Sequence, residues 1–592
     1  MKRLIHIHIF IFLLVLSGCS DDKKIEATAK PNIILILTDD QGFGDLGYYG
    51  NPIVKTPVID SLASKSVRFD EFLVSPVCAP TRASIMTGRY AMRTGVYDTQ
   101  RGGSLMATSE ITIAELLQEA NYKTGIIGKW HLGDNYPMRP QDQGFDYTLN
   151  HLSGGIGQPG DWPNTINPDS SYYNPTLWKN GTQVKTEGYC SDVFGTAAID
   201  FVEENKDNPF FLYLSFNAPH TPLQVPQEYY DLYKDVDVKK AFKNDSKPFP
   251  NMYPKANEYA RKVYGMVTNI DDNLGRLFKK LQELNIDENT LVIFMTDNGP
   301  QDPRYIAGLR GKKSSVFQGG IKVPSFWYFP SKFKTPRDVK TTVAHLDILP
   351  TLAEFCGIEL PKDNAIDGVS LMPLLTDENA TLKSRTINNY WSRKHPVKYK
   401  NISTTKDSLK LVALENDFKG SDTYELFNIK NDPYELHDIS NSDTLKVKEM
   451  KSEMKAWIAE MLHSENFIKT PRPIIGTKHE NPLVLNLNDA LYHREEGVRK
   501  PIASWEVNFS KTGNYAINVH TYAEIDEDSQ LLLKVGNTIK QMNFKKPNSK
   551  MLMVDSLKVD KGDIDIMAEI FTKKDGEDLL TMPLYLEVKS LD

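Results

Sequence analysis

At 592 residues the chain is too long for one ordinary hydrophobic core, so two or three domains are expected. A hydrophobic share of 40% and a charged share of 25% are those of a water-soluble globular protein, and four cysteines exclude a disulfide-dense scaffold. The net charge of −7, with no basic run, excludes nucleic acid as a partner but leaves room for a small anionic substrate in a local cationic pocket.

The chain opens with Lys2 and Arg3 ahead of an apolar stretch from Leu4 to Leu16, too short to cross a bilayer as a mature helix. It ends in Leu16-Ser17-Gly18-Cys19, which resembles a bacterial lipobox, and Ser20-Asp21-Asp22 behind it resembles a surface-export tag. Residues 1–18 are therefore expected to be a lipoprotein signal peptide and 19–30 a polar tether. An acylated Cys19 would anchor the protein to a bacterial outer membrane, at the cell surface or facing the periplasm. A plain signal peptide with an incidental cysteine is the alternative.

Asn32 to Thr38 is a continuous apolar run of strand length, suited to a strand covered on both faces. Thr124–Ile127, Phe210–Phe216 and Leu291–Met295 repeat the signature, with helices expected from Thr56-Pro57 to Ser66, over Ser109–Ala120 and over Glu258–Leu284. Strands alternating with helices predict an α/β sandwich with a mostly parallel sheet over 31–344. A smaller unit over 345–465 runs from a helix at His345–Phe355, past Tyr424–Asn428, to a charged amphipathic helix near 443–463. Pro471, Pro473 and Gly476 mark 466–480 as a linker. Beyond it Trp505, Val507 and Phe509 alternate with polar residues, as do Tyr515, Ile517 and Val519 after the turn at Gly513-Asn514, which predicts an all-β module over 481–592.

Several segments carry chemistry. Cys78-Ala79-Pro80-Thr81-Arg82 reads as a helix mouth, with Pro80 suited to the first helical position. Cys78 then faces the positive end of the helix dipole, and Arg82 returns to the same face one turn on. Asp39-Asp40 follows the first buried strand, and Asp297-Asn298-Gly299 follows another. Acidic and amide oxygens at the C-terminal ends of parallel strands suit Ca²⁺ or Mg²⁺, although either segment alone is also a common turn. In Gly128-Lys129-Trp130-His131, an extended backbone would point Lys129 and His131 to one side, pairing a cation with an imidazole. His220 lies between Pro219 and Pro222, and Lys313 lies in a basic, glycine-rich loop from Leu309 to Pro324. A structural histidine and a solvated loop are the plain readings of these last two.

In order and spacing, these segments resemble the type I sulfatases of the alkaline phosphatase-like superfamily, from about residue 31 to 465. Cys78 to Arg82 matches that family's C-x-P-x-R signature, followed by Thr87-Gly88-Arg89. The resemblance implies that a maturation enzyme oxidises Cys78 to formylglycine. It implies one Ca²⁺ held by Asp39, Asp40, Asp297, Asn298 and the converted Cys78. Arg82, Lys129 and His131 would steady the formylglycine hydrate, Lys129 would also reach the sulfate, and His220 and Lys313 would contact the sulfate and the leaving oxygen. Two positions depart from the pattern: Gln318 and Lys322 stand where many members carry Glu and Arg.

The expected activity is hydrolysis of sulfate esters on a sulfated polysaccharide or its oligosaccharides. An algal polymer such as ulvan or carrageenan fits, as does an animal glycosaminoglycan. A phosphomonoester or phosphonate hydrolase of the same superfold is the enzyme rival, disfavoured because the metal-type motifs offer only oxygen ligands. A glycan-binding lipoprotein without catalysis is the rival from another class. Asp161, Trp162, Tyr172 and Tyr173 lie in a long insertion and are candidates to line sugar subsites. Nothing in the sequence places Cys190 beside Cys356.

Overall fold

The run Ile33–Leu37 is apolar at every step because both of its faces are covered. In the computed structural model, residues 30–592 are described apart from 159–160, 163–170, 244, 394–399, 415–422, 494–501, 526–528, 544–548 and 575–576. The N-terminal apolar stretch and Cys19 lie outside the described residues. Among those described, no helix is long and apolar enough to cross a membrane.

Four strands form the middle of a ten-stranded sheet: β1 (Asn32–Thr38), β2 (Lys123–Lys129), β3 (Phe210–Ser215) and β4 (Thr290–Thr296). They lie side by side in the order β4-β1-β3-β2, all parallel. Tyr147–His151 extends the sheet parallel to β2, and Ser325–Tyr328 extends it antiparallel to β4. The sheet is therefore mixed but mostly parallel at its centre, as the alternation of strands and helices predicts.

Period-two alternation sorts β1 between two cores. Ile33, Leu35 and Leu37 pack on one face, among helices α1 (Cys78–Thr87), Ile113–Glu119 and Ile348–Cys356. Ile34 and Ile36 pack on the other, against Pro57–Lys65, α2 (Cys190–Asn205) and α3 (Ala256–Glu283). Cys190 and Cys356 sit on opposite faces of the sheet, and both are free thiols. The expected helix Ser109–Ala120 begins only at Ile113, because Thr112 and Glu115 close a reciprocal capping box there. The expected helix at His345 starts as a 3₁₀ turn over His345–Asp347 before continuing as Ile348–Cys356.

A four-stranded antiparallel sheet over 386–428 follows, covered by the helix Thr444–Leu462 through Met450, Met454, Ile458 and Met461. The C-terminal strands form two further sheets whose inner faces share one apolar core around Trp505, Phe509, Tyr515 and Ile517. Within the stretch read as a linker, Ile474–Ile475 adds a short strand to this sandwich, parallel to Ile502–Phe509.

Candidate active site

The C-terminal ends of four adjacent strands converge on one buried pocket. Asp39 and Asp40 leave β1, Lys129 ends β2, Ser215 ends β3, and Asp297 and Asn298 leave β4. This is where open α/β sheets place their ligands. Asp40 takes a left-handed backbone (φ 61°), which aspartate tolerates, and donates its N–H to Asp297 Oδ1 at 3.2 Å.

Helix α1 delivers Cys78 and Arg82 to the pocket. The helix begins at Cys78 itself, so Pro80 is its third residue and not its first. Proline is still accommodated there, since first-turn N–H groups have no intrahelical partner. All ten residues of α1 are buried, and Gly88 at φ 67° ends the helix. Arg82 is fully buried, and its Nε and Nη2 donate to Asp297 Oδ2 at 3.2 and 2.8 Å. Its Nη1 donates to the Lys129 carbonyl at 3.1 Å and to Ser215 Oγ at 2.5 Å. Burial opposes the guanidinium charge, but Tyr213, Asp297 and Asp39 more than restore it.

The segment after β2 does not stay extended. Gly128 has φ 107° and His131 φ 67°, so the chain turns between Lys129 and His131. Only glycine fits at 128, because a Cβ there would lie 1.9 Å from the Ser215 carbonyl oxygen. Both side chains nevertheless reach the pocket. Lys129 Nζ donates to Asp39 Oδ2. His131 Nε2 lies 2.8 Å from the Thr99 carbonyl, which only accepts, so Nε2 carries the proton and Nδ1 faces Cys78 Sγ at 3.4 Å. Burial, reinforced by Lys129, holds His131 well below the usual imidazole range and keeps it neutral.

His220 is arranged likewise. Its Nδ1 donates to the Thr221 carbonyl at 2.7 Å, which leaves Nε2 facing Asp40 Oδ2 at 3.7 Å. Burial and Lys313 push the His220 pKa down. Lys313 Nζ pairs with Asp40 Oδ1 at 2.7 Å, and Asn298 Nδ2 donates to the same oxygen at 2.7 Å. Burial works against the Lys313 charge, yet Asp40 holds its pKa above the ordinary lysine value. The Lys313 loop is tied down by Gln318 N–H to Glu435 Oε2 at 2.7 Å. Gln318 and Lys322 both bond Glu71, so these two departures from the family pattern share one carboxylate partner.

The pocket's oxygens fit a hard cation. Asp39 Oδ1, Asp40 Oδ2 and Asn298 Oδ1 are buried and have no hydrogen-bond partner. Ligand atoms of Asp39, Cys78 and Asp297 lie within 4.8 Å of one another, as do those of Asp39, Asp40 and His220. Burial raises the Asp297 pKa to about 7, and the nearby Asp39 adds to it, so the two carboxylates repel where a cation would bind both.

Several residues that support the pocket carry no signal in the sequence. Thr99 fixes the His131 tautomer, Ser215 holds Arg82, and Arg304 ties Asp45 to the Asp40 carbonyl at 2.8 Å. The insertion residues behave differently from the expectation of sugar subsites. Trp162 is buried against Trp178, with ring centroids 4.6 Å apart, and Asp161 is buried beside it. Tyr172 is fully buried and donates its hydroxyl to the His220 carbonyl at 2.8 Å. Aromatic rings in an insertion read as sugar platforms, but here two of them fill the core; Tyr173 is exposed.

Oxygen ligands and buried cations at four parallel strand ends, with a helix-mouth cysteine between them, define a hydrolase of anionic esters built on the alkaline phosphatase-like fold. The family model described as Sulfatase matches residues 31–358, and one described as N-sulphoglucosamine sulphohydrolase, C-terminal, matches 311–464. The chain belongs to the sulfatase family and is a sulfuric ester hydrolase. It is 28% identical over 542 residues to the uncharacterized sulfatase YdeN of Escherichia coli (strain K12), covering 74% of this chain and 90% of that protein. It is 30% identical over 380 residues to human N-acetylgalactosamine-6-sulfatase, covering 59% of this chain and 66% of the human one. The solved structure of Ps i-CgsB in complex with k-i-k-neocarrahexaose matches with a TM-score of 0.62 at 31% identity, over 74% of this chain and 94% of that one.

Proposed function

We propose that this sulfatase removes sulfate esters from a sulfated polysaccharide or its oligosaccharides. Cys78 is converted to formylglycine by a maturation enzyme, and one Ca²⁺ is held by Asp39, Asp40, Asp297, Asn298 and the converted Cys78. The observation that carries this reading is the set of unpartnered buried oxygens on Asp39, Asp40 and Asn298 beside the Cys78–His131 contact. The glycan substrate is supported by the neocarrahexaose complex of Ps i-CgsB and by the human N-acetylgalactosamine-6-sulfatase.

When present, the formylglycine hydrate supplies a hydroxyl nucleophile, and Ca²⁺ supplies positive charge to the sulfate oxygens. The chain's own residues do the rest. Arg82 and Lys129 are fixed by Asp297 and Asp39 and bring buried positive charge to the sulfate, where preorganised charge acts most strongly. His131, neutral with Nδ1 free to accept, takes a proton at residue 78. Side-chain exposure is 0% for Arg82 and Lys129 but 11% for His220 and 10% for Lys313, so the pocket opens past the latter two. The sugar leaves through that mouth, and Lys313 Nζ, or His220 Nε2 once the ring has taken up a second proton, gives its oxygen a proton.

The lipobox-like segment at Leu16–Cys19 supports a lipid anchor at the outer membrane; labelling by a palmitate analogue, lost in Cys19→Ala, is its test. For the activity, Cys78→Ala should abolish release of sulfate from defined sulfated oligosaccharides while leaving thermal melting nearly unchanged. The peptide containing Cys78, isolated from the native host, should be lighter by the difference between a thiomethyl and an aldehyde side chain. Sulfate release by the Ala variant, or an unmodified thiol in an active enzyme, would sink the proposal.

A further inference from the structure

Beside the catalytic pocket, two loops from distant parts of the chain meet at the turn that holds His131. The Thr99 carbonyl accepts from His131 Nε2, and the Thr99 hydroxyl accepts from Arg393 Nη1 at 3.3 Å. Arg393 belongs to a segment following the strand Thr386–Tyr390 of the smaller unit. That segment also touches the Lys313 loop, since Asn401 Nδ2 donates to the carbonyls of both Ser314 and Trp391 at 2.9 Å. Trp391 and Arg393 therefore stand between the loop carrying Lys313 and the turn holding His131.

Two residues past Thr99, Arg101 completes the arrangement. Its guanidinium lies 5.0 Å over the Tyr492 ring of the C-terminal sandwich, and the next N–H, of Gly102, donates to the Asn488 carbonyl at 2.8 Å. Arg101 has neither an ion pair nor a hydrogen bond among the described residues, and its Nε is buried without a partner. Arg393 is similarly laid over Trp391 at 5.1 Å and is 41% exposed. Asp98 is the carboxylate shared by the group. It lies 3.8 Å from Arg393 and accepts from Trp391 Nε1 at 3.1 Å and from its neighbour Thr99 N–H at 2.7 Å. Among the described residues of this group, two guanidiniums and one carboxylate leave one positive charge in excess. The guanidinium carbons lie 5.0 and 5.1 Å from aromatic ring centres, and the N–H groups other than Arg393 Nη1 and the buried Arg101 Nε are left to bind an oxyanion.

We propose that Arg101 and Arg393 form a cationic rim beside the pocket that binds a second anionic substituent, a sulfate ester or a uronate carboxylate, on the glycan whose scissile sulfate lies at residue 78. This rests on the proposed glycan sulfatase function and deepens it: the preferred substrate carries at least two anionic groups close together. The sandwich then contributes to the rim through Tyr492, which props Arg101.

The test is binding of two labelled hexasaccharides to the full chain carrying Cys78→Ala. One hexasaccharide has two sulfates per disaccharide and no carboxylate; the other has one sulfate and one uronate per disaccharide. Arg101→Gln and Arg393→Gln should each raise Kd by about tenfold for one of them, as expected for loss of a charge-assisted hydrogen-bond pair. The arm that responds identifies the second anion. Unchanged Kd in both arms, or failure of the Cys78→Ala chain to bind either sugar, overturns the rim. Should Arg101→Gln disturb the sandwich contact, Arg393→Gln carries the test alone, its side chain being 41% exposed. Sulfate release from the two hexasaccharides by the matured enzyme is measured separately: its absence from both would overturn the glycan sulfatase reading while leaving the binding result to judge the rim.

Discussion

In the pocket, Asp39, Asp40, Arg82, Lys129 and Asp297 are all 2% exposed or less, packed within one cluster of opposed charge. The C-terminal sandwich buries Trp505, Val507, Phe509, Tyr515, Ile517 and Val519 and, among the described residues, one carboxylate, Asp489. That exception faces the catalytic unit, where Asn135 Nδ2 donates to it at 3.0 Å. The sandwich rests mainly on apolar burial. The pocket instead gathers buried carboxylates of like charge and leaves oxygens of Asp39, Asp40 and Asn298 without partners. Unsatisfied burial of this kind is tolerated where a ligand completes it, and that difference separates the working region from the supporting one.

The contrast can be broken most sharply by taking the proposed cation away. Chelation should lower turnover on the order of 100-fold or more, because preorganised charge on the sulfate is lost. It should also lower the melting temperature, since Asp39, Asp40 and Asp297 would then repel without relief. Added Ca²⁺ should restore both; turnover indifferent to chelator would remove the basis for the metal site.

Trp505→Ala tests the other side of the comparison. Truncating this buried ring should destabilise the sandwich by about 3–5 kcal/mol, read by denaturant titration, with turnover per folded molecule retained. A collapse of turnover in the folded fraction would show that the two regions are not separable in this way.

The contact between them should be sensitive to pH. Burial, opposed by Arg139, raises the Glu480 pKa from 4.5 to about 7, while its Oε2 accepts the Tyr136 N–H at 2.7 Å. A carboxyl raised on folding gives stability that is complete below its unfolded pKa and is lost as pH rises through its folded one. Between pH 5 and 8 the parent should therefore lose stability relative to Glu480→Gln, by on the order of 1–3 kcal/mol. Melting curves across that range check this, and parallel curves would refute it.

The smallest expected effect lies at Tyr172. Tyr172→Phe removes the hydroxyl that fixes the His220 carbonyl, a neutral hydrogen bond worth about 1 kcal/mol. The kcat should fall several-fold, with the pH profile altered on the limb that His220 controls. An identical profile would reduce Tyr172 to packing.

Much of the architecture was legible because it follows from local pattern. β1, β3 and β4 are continuous apolar runs, and Trp505-x-Val507-x-Phe509 alternates with period two. The helix boundary at Ile113 was less so, since the Thr112–Glu115 capping box competes with an apolar pattern that continues upstream. At the site, Asp39, Asp40, Cys78, Arg82, Lys129, His131, His220, Asp297, Asn298 and Lys313 all meet in one pocket, although His131 arrives through a left-handed turn that periodicity does not foretell. The Trp162 and Tyr172 expectation failed because an aromatic ring serves core and sugar equally well, and composition does not reveal which face of an insertion turns inward.

The sequence by itself determined the chemistry on offer: which residues follow buried strands, which sit at a helix mouth, and which chain segments are apolar on one face or two. These are properties of short stretches, governed by periodicity and by the backbone preferences of a few residues. Only the tertiary structure decided the partners. The His131 tautomer depends on Thr99, the seating of Arg82 on Ser215, and the rim of Arg101 and Arg393 on segments nearly 300 residues apart in the chain. Contacts at that separation leave no trace in local pattern, because the energy that fixes them arises only when the sheets and loops have closed around the same buried space.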